Sequence, residues 1–322
     1  NLTRSEIIVK TVTYAGMLSE STGYIRLNRF NRNSPIELQN SISSLLNNNA
    51  TSLIFDLRDN AGGLLTAAVS MLDMMIDKNT VLVSTKGRTK DSNRTFYSRR
   101  DPIIPEDIKI AILINQGSAS ASEIVAGSVQ DLDRGIVIGQ KSFGKGLVQT
   151  QYSFDDKRSI KITTARYYIP SGRFIQKRDY IDNKYIMNAS DEDSIFSTLG
   201  GRTVYGNGGI TPDSTIVPDA MKSLSSQYWR NGYLYSFSQE NKHNYKSFES
   251  VQNDKNLLNR FEKYLKTKDK IFLPGEKDLN LAKEQIVALD STNLNVNNAL
   301  DILSNFYDRE AVSYTHLPLP TN

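Results

Sequence analysis

The chain has 322 residues, no cysteine, two histidines and a formal net charge of +4. It therefore excludes a cysteine nucleophile, and with only His243 and His316 present it disfavours a Ser-His-Asp triad. Basic residues alternate with acidic ones, which gives no support to nucleic-acid binding, and no apolar run reaches the roughly 18 residues that span a bilayer.

Along the first 218 residues, segments whose apolar residues have strand spacing alternate with segments whose apolar residues have helix spacing. This order predicts an α/β fold. The predicted elements are, in chain order, a strand at 24–30, a helix beginning at Ser34, a strand at 53–57, a helix at 64–75, and strands at 81–84, 110–114, 135–139 and 160–168. The first helix has a capping-box pattern, in which Ser34 and Glu37 flank Pro35 at the first helical position. Its buried face is predicted at Leu38, Ile42 and Leu45.

The composition changes near residue 219, where glycine becomes rare and Asn, Lys and Ser become common. Apolar residues recur there at helical spacing, in the sets Leu257, Leu258, Phe261 and Leu265; Leu281, Ile286 and Leu289; and Ala299, Leu300 and Leu303. This spacing predicts a helical C-terminal extension. Trp229, Tyr233 and Tyr235 are read as core aromatics rather than as a partner surface, and His243 is read as a surface side chain. No phosphate loop or metal-ligand spacing occurs.

Two short segments point to hydrolytic chemistry. Ser120 lies in a Ser-Ala repeat that ends at Glu123, and Lys145 follows 25 positions later between two glycines. A lysine activates a serine hydroxyl only when its own amine is neutral, which requires a desolvated setting. Gln149 carries an amide that is able to orient this amine. Taken singly, the serine run is a common helix start and the lysine an ordinary surface charge; the combination predicts a serine hydrolase with a lysine base.

Acyl transfer also needs N–H donors aimed at the developing oxyanion. Gly62 and Gly63 follow a buried strand and precede a predicted helix, so their N–H groups are candidates, with a slight preference for Gly62. The alternative is that this pair is only a tight turn, and the two interpretations are about evenly matched. Ala121, next to Ser120, is the second donor. Glu123 is read as a partner for a cation near the helix start.

With these residues identified, the chain resembles the C-terminal processing (tail-specific) serine peptidases, which use a Ser-Lys dyad. The resemblance covers most of residues 1–218. It is carried by six blocks in the family's order, at 23–27, 55–63, 115–123, 138–149, 163–173 and 208–213. In the family's pattern the nucleophile precedes the glutamate of its segment by three residues, which selects Ser120 over Ser118 and Ser122.

The resemblance implies further properties. The fold would be ClpP/crotonase-like, no cofactor would be needed, and Thr163, Thr164 and Ala165 would border the substrate channel as substrate-binding residues. Residues 2–9 resemble the last strand of the PDZ domain that precedes the catalytic core in this family, so the chain is expected to be truncated within that domain. The partner would be a protein with an exposed C-terminus, and the location periplasmic or extracellular, with a homo-oligomer as one possible state.

The sequence therefore predicts four regions: a PDZ remnant and linker at 1–20, a Ser-Lys peptidase core at 21–218, a helical extension at 219–310, and a non-native tail at 311–322. The predicted function is a serine endopeptidase that cleaves proteins near their C-termini. Two alternatives stay open, a non-catalytic peptide-binding module and a crotonase-like acyl-CoA enzyme. The latter would need a CoA-phosphate site and usually a Glu/Asp acid-base pair, and an acyl-CoA titration would separate it from the peptidase.

Overall fold

The computed structural model describes residues 9–181, 184–187, 195–206, 208–216 and 223–268, with short stretches at 280–281, 283–285, 298–299 and 302. It separates into two compact units, Asn1–Val217 and Pro218–Asn322. No helix of the described ranges is both long and apolar enough to cross a membrane.

A six-stranded sheet forms the centre of the first unit. Its strands, in spatial order, are β1 (Val12–Met17), β2 (Thr22–Leu27), β3 (Ser52–Asp56), β6 (Lys109–Ile114), β7 (Ile136–Gly139) and β14 (Ser214–Thr215). The β1–β2 pair is antiparallel, and the other four pairs are parallel. Leu53 and Phe55 of β3 and Ile112 of β6 have no exposed surface. Such full burial is typical of parallel strands covered on both faces.

Three helices follow strands of this sheet: α1 (Ser34–Asn47) follows β2, α2 (Leu65–Leu72) follows β3 and α3 (Ala121–Asp131) follows β6. Because β3, β6 and β7 are parallel neighbours, the loops after all three strands leave from the same edge of the sheet. These loops carry Gly62 and Gly63, Ser120, and Lys145, in that order. The topology therefore brings together residues that are far apart in sequence.

A second sheet has four antiparallel strands, in the order β5 (Arg94–Tyr97), β4 (Val81–Gly87), β9 (Ser159–Tyr168) and β8 (Leu147–Ser153). Two small hairpins complete the described strands, β10 (Arg178–Ile181) with β11 (Lys184–Met187) and β12 (Ile195–Ser197) with β13 (Thr203–Tyr205). In the four-stranded sheet β8 is an edge strand, whereas β9 pairs with β8 from Ser159 to Arg166 and with β4 from Ala165 to Tyr168.

The mixed α/β fold confirms the fold class predicted from the sequence. Each predicted strand or helix of the first unit has a counterpart, and Leu38, Ile42 and Leu45 are buried. The capping-box prediction is wrong, because the helix cap is Asn33 and Glu37 instead accepts hydrogen bonds from the backbone N–H groups of Thr11 and Val12 at 2.7 and 2.9 Å. This carboxylate ties the start of the edge strand to the first helix.

Other differences concern loops and exposed strands. The predicted helix at 64–75 ends at Leu72, and Lys145 lies in the loop that connects β7 of the six-stranded sheet to β8 of the four-stranded sheet. Residues 12–17, within the range predicted as PDZ remnant and linker, form β1 of the main sheet. Residues 1–8, and the tail at 311–322, lie outside the described residues.

A fully buried ion pair lies within the first unit. The Arg173 guanidinium donates to Asp131 Oδ1 at 2.7 Å and to Gln130 Oε1 at 2.6 Å, and both charged side chains have no exposed surface. Asp131 Oδ2 also accepts hydrogen bonds from the Ser171 N–H and hydroxyl. This single carboxylate therefore holds the turn after β9 against the end of α3.

Replacing Asp131 by Ala should lower the free energy of unfolding by about 3–5 kcal/mol, because it leaves a buried guanidinium without its counter-charge. Urea denaturation followed by circular dichroism measures the change. Asp155→Ala is the matched control, since its pair with Arg158 is largely exposed and its removal should leave stability nearly unchanged. Equal losses in both variants would contradict a specific role for the buried pair.

The described part of the second unit is helical, as the sequence predicts, with α4 (Ser223–Arg230), α5 (Tyr233–Asn241), α6 (Phe248–Gln252) and α7 (Leu257–Leu265). Phe237 packs against Phe261 and Tyr264. The core interpretation is wrong for Trp229 and Tyr235, which are 67% and 69% exposed. The sequence also predicted helix faces farther along the chain. Four of their residues lie outside the described ranges: Ile286, Leu289, Leu300 and Leu303.

Candidate active site

Ser120 occupies a strained turn between a buried strand and a buried helix. It immediately precedes α3 and has φ +57° and ψ −111°, a backbone conformation that residues with a Cβ rarely adopt. The loop before it is held to the β3–α2 loop by hydrogen bonds from the Ala119 N–H and the Ser122 hydroxyl to Asn60 O, at 3.0 and 2.8 Å. Strain sustained by such contacts is a feature of nucleophile turns.

The neighbouring serines are committed to structural hydrogen bonds. Ser118 Oγ donates to Leu57 O at 2.7 Å, Ser122 Oγ donates to Asn60 O at 2.8 Å, and both side chains are buried. Ser120 is half-buried and lines a pocket, so of the three it alone presents its side chain to a cavity. This geometry favours the serine selected from the sequence.

The pocket beside Ser120 has a volume of about 160 Å³. Its lining comprises Gly63, Leu64, Leu65, Ser120, Ala121, Ile124, Lys145, Leu147, Val148, Gln149, Lys161 and Tyr167. Lys145 is half-buried there, whereas the neighbouring Phe143 is 57% exposed and is not part of the lining. The apolar surroundings of the lysine are therefore provided by Ile124, Leu147 and Val148.

Ser120, Lys145 and Gln149 thus share one pocket. Within the described ranges, no hydrogen bond joins the Ser120 hydroxyl to the Lys145 amine, and Lys145 forms no ion pair with a carboxylate. Catalytic hydrogen bonds are often long without substrate and shorten in the substrate complex. Gln149 is exposed at the mouth of the pocket, on the edge strand β8.

The three candidate oxyanion donors differ in whether their N–H groups are free. The Gly62 N–H donates to Asn60 Oδ1 at 2.9 Å, so it is already engaged, and Gly62 does not line the pocket. Gly63 and Ala121 line the pocket, and neither N–H has an acceptor among the described residues. The N–H of Gly62, which the sequence slightly preferred, is thus engaged by the Asn60 side chain, whereas the N–H groups of Gly63 and Ala121 are free to donate.

Glu123 has a different environment from the cation pairing that its helix position suggested. Its carboxylate is buried and accepts four hydrogen bonds, from the Ser120 N–H at 2.7 Å, the Ser142 hydroxyl at 2.6 Å, and the Gly144 and Lys145 N–H groups at 2.6 and 2.9 Å. Burial raises the pKa of Glu123 to about 7, and these hydrogen bonds partly offset that shift.

Tyr167 is a site residue that the sequence did not single out. Its buried hydroxyl donates to Lys145 O at 2.5 Å and lies 3.2 Å from Ser120 O. Desolvation raises the pKa of Tyr167 well above its usual value, so it is a neutral hydrogen-bond donor at neutral pH. Tyr167 lies two residues after the buried Ala165 on β9, so strand alternation places both side chains on the same, inward face. This spacing is the sequence signal that pointed to a buried tyrosine.

The predicted substrate-binding residues Thr163, Thr164 and Ala165 lie outside the Ser120 pocket. They line a separate cavity of about 400 Å³, together with Lys86, Gly87, Leu147 and Arg166. Leu147 borders both cavities. The side chain that β9 does contribute to the Ser120 pocket, besides Tyr167, is Lys161.

Comparison with known proteins identifies the family. Residues 21–185, just over half of the chain, match the sequence profile of peptidase family S41. The chain belongs to peptidase family S41. The matched range includes Ser120, Lys145, Gln149 and the glycine loop. All residues that line the Ser120 pocket therefore lie within the part of the chain that matches the family profile.

Relatives of this S41 chain include processing proteases. A carboxy-terminal-processing protease of Bartonella bacilliformis is 40% identical over 179 residues, which is 54% of this chain and 40% of the relative. A chloroplastic C-terminal processing peptidase of Tetradesmus obliquus is 33% identical over 189 residues, 55% of this chain and 40% of the relative. The chain therefore spans less than half the length of these curated relatives.

A solved structure described as an S41 protease, from Bacteroides fragilis, superposes with a TM-score of 0.50. The superposition covers 70% of this chain and 54% of that one, at 16% sequence identity. At this level of identity the likeness concerns the fold alone, and it agrees with the α/β architecture described above.

Proposed function

We propose that this chain contains the catalytic core of a serine endopeptidase that cleaves protein substrates near their C-termini by a Ser-Lys dyad. The observation that carries the proposal is the convergence of three loops at one sheet edge. They bring two free N–H donors, a strained serine and a lysine to a single pocket. Membership of a peptidase family and the names of the relatives support the same reaction class.

In the proposed reaction, Ser120 Oγ attacks the scissile carbonyl carbon while the neutral amine of Lys145 accepts the hydroxyl proton. The Gly63 and Ala121 N–H groups bind the oxyanion of the tetrahedral intermediate. When the intermediate collapses, the Lys145 ammonium gives its proton to the leaving amine and an acyl-enzyme on Ser120 remains. Lys145 then deprotonates a water molecule that attacks the acyl carbon, and it returns this proton to Ser120 Oγ as the bond between Oγ and the acyl carbon breaks. Gln149 orients the lysine amine from the mouth of the pocket.

The structure also suggests how an extended substrate would bind. β8 is an edge strand, so its backbone groups are available for pairing, and its residues Leu147, Val148 and Gln149 line the Ser120 pocket. A substrate strand added to this edge would pass the nucleophile. The apolar lining and the volume of about 160 Å³ suit one small apolar side chain. The cavity beside Thr163, Thr164 and Ala165 would then contact a more distant part of the substrate.

The proposal includes a periplasmic or extracellular location, which cell fractionation would test. It also leaves room for a homo-oligomer, to be measured by light scattering.

The proposed function is tested by treating the chain with an unstructured protein that ends in apolar residues, and in parallel with a fluorophosphonate that labels activated serines. We expect products cut near the C-terminus and one labelled serine, Ser120. Ser118 and Ser122 serve as internal controls, because their hydroxyls are buried and hydrogen-bonded. A chain that binds the substrate without cutting it or taking the label would favour the peptide-binding alternative.

A further inference from the structure

Two loops from different strands must be aligned before Ser120 and Lys145 are able to react together. Ser120 follows β6 and Lys145 follows β7, and the two residues belong to different loops. The Phe143 N–H joins the two loops directly by donating to Ser118 O at 3.0 Å, and nearer to Ser120 and Lys145 the separation is fixed by groups that contact both loops. The buried carboxylate of Glu123 is such a group, since one oxygen, Oε2, accepts the backbone N–H of Ser120 and that of Lys145.

The second oxygen strengthens this connection. Oε1 accepts the Ser142 hydroxyl and the Gly144 N–H, both from the lysine loop. The Ser142 hydroxyl in turn accepts the Ile210 N–H at 2.7 Å, so its own proton is directed to Glu123. All four partners of the carboxylate are therefore donors, and an ionised carboxylate is the one side-chain group that accepts four hydrogen bonds at this position.

Tyr167 holds the same two loops from the other side. Its hydroxyl donates to Lys145 O and lies within hydrogen-bond distance of Ser120 O. Lys145 is thereby held at both ends of its backbone, at the N–H by Glu123 and at the C=O by Tyr167. The two clamping groups come from α3 and β9, elements that belong to different layers of the fold.

We propose that Glu123 is a positioning residue, whose carboxylate sets the relative position of the Ser120 turn and the Lys145 loop, with Tyr167 as its complement. This inference rests on the proposed peptidase function. It goes beyond that function by assigning the alignment of the dyad to a residue that does not contact the substrate. A displacement of about 1 Å between reacting groups costs on the order of 100-fold in rate, so loss of the clamp should act on the chemical step.

The test is Glu123→Gln in the full chain. An amide has one acceptor oxygen and one NH₂ group, so whichever way it is oriented its NH₂ faces at least one backbone N–H of the two loops. We expect kcat to fall about 100-fold while KM changes by less than about threefold. The rate of fluorophosphonate labelling at Ser120 should fall in parallel, with both rates measured at a temperature at which circular dichroism shows that the variant is folded.

The pH dependence of kcat distinguishes a positioning role of Glu123 from a purely structural role. In the wild-type chain, kcat should fall as the pH drops below about 7, because protonated Glu123 no longer accepts all four hydrogen bonds. The titratable group that faces it from a packed element is Tyr167 on β9, whereas Lys145 contacts it through its backbone N–H. The Gln variant lacks this ionisation, so its acid limb should lose one proton dependence and keep only that of the remaining groups.

Glu37→Gln is the matched control, because Glu37 also accepts two backbone N–H groups and a hydroxyl, but outside the Ser120 pocket. It should leave kcat unchanged, whatever its effect on the thermal midpoint. If Glu123→Gln fails to fold, Tyr167→Phe removes a single hydroxyl and should lower kcat about tenfold at constant KM.

Several outcomes separate the two proposals. A Gln variant with wild-type kcat and labelling rate, or a Tyr167→Phe chain with wild-type kcat, would overturn the positioning role while leaving the peptidase assignment intact. The positioning role is equally overturned if activity falls only in proportion to the fraction of unfolded protein. A wild-type chain that neither cleaves nor takes the label would overturn both.

Discussion

Replacing Ser120 by Ala, or Lys145 by Met, should each lower kcat/KM for an unstructured protein substrate by on the order of 1000-fold or more, and the double variant should lose no more than either single one. The reason is that nucleophile and base act as one unit. Without the lysine, the serine proton has no acceptor in the pocket, and without the serine there is no proton to take. Rates of product formation, measured by mass spectrometry with intact folding verified by circular dichroism, give the four values of the cycle.

The Lys145→Arg variant tests whether Lys145 acts as a base or as a fixed charge. Arginine keeps the charge and nearly the length of lysine, but it is not deprotonated in proteins and cannot act as a base. We therefore expect it to be as inactive as Lys145→Met. Lys161→Met is the control for a lysine in the same pocket that is given no proton-transfer role. An active Arg variant, or losses that add in the double variant, would show that Lys145 acts as a fixed charge instead of a base.

The strands and helices that sequence patterns located include those with an unbroken apolar run or one clean buried face, and they also include β9, which is mostly exposed. β3 and β6 are covered on both faces, so their apolar runs are unbroken, and α1 has a clean buried face. Besides the short strands β10 to β14, the strands that were missed are β1, β5 and β8. They lie at sheet edges, where burial alternates weakly, as in the largely exposed β8. An edge strand carries little periodic signal because only its neighbours determine that it is a strand.

The candidate site residues also differ in how well the sequence predicted them. Ser120 and Lys145 were selected from the sequence because the proposed reaction demands those side chains within glycine-rich or small-residue turns. The choice between Gly62 and Gly63 depended on a side chain elsewhere in the loop, since Asn60 engages the Gly62 N–H. The positioning role proposed for Glu123 depends on its hydrogen bonds to the loop at 142–145, about twenty residues downstream. Such non-local hydrogen bonds have no signature in local sequence spacing.

The second unit shows a third reason why sequence spacing predicts only part of a structure. Spacing correctly predicted a helix around Leu257 and Phe261, but it assigned Trp229 and Tyr235 to the core, and both are largely exposed. Helical periodicity states which residues share a face. It does not state whether a second layer covers that face, which depends on the tertiary arrangement.

Replacing Gly62 by Ala should reduce kcat by about 100-fold or more, even though its N–H is engaged by Asn60 Oδ1. Gly62 has φ +93°, and a Cβ there would lie 2.5 Å from Ala119 O, 2.8 Å from Ala121 N and 2.9 Å from Ser120 Cβ. All three contacts belong to the nucleophile turn. A methyl group would therefore push the turn away from the glycine loop, displacing both the nucleophile and the Ala121 N–H that is proposed to bind the oxyanion.

Steric displacement has to be separated from backbone strain, which alone costs about 1–2 kcal/mol for a residue with a Cβ at positive φ. Gly201→Ala provides that separation, because Gly201 has φ +83° and a Cβ added there would meet no atom within 4 Å. Both variants should lose stability through strain, measured as the shift in urea midpoint, but only Gly62→Ala should lose kcat. If the two variants keep the same kcat, close approach of Gly62 is not what holds the nucleophile turn, and the contacts from Asn60 must suffice to place Ser120.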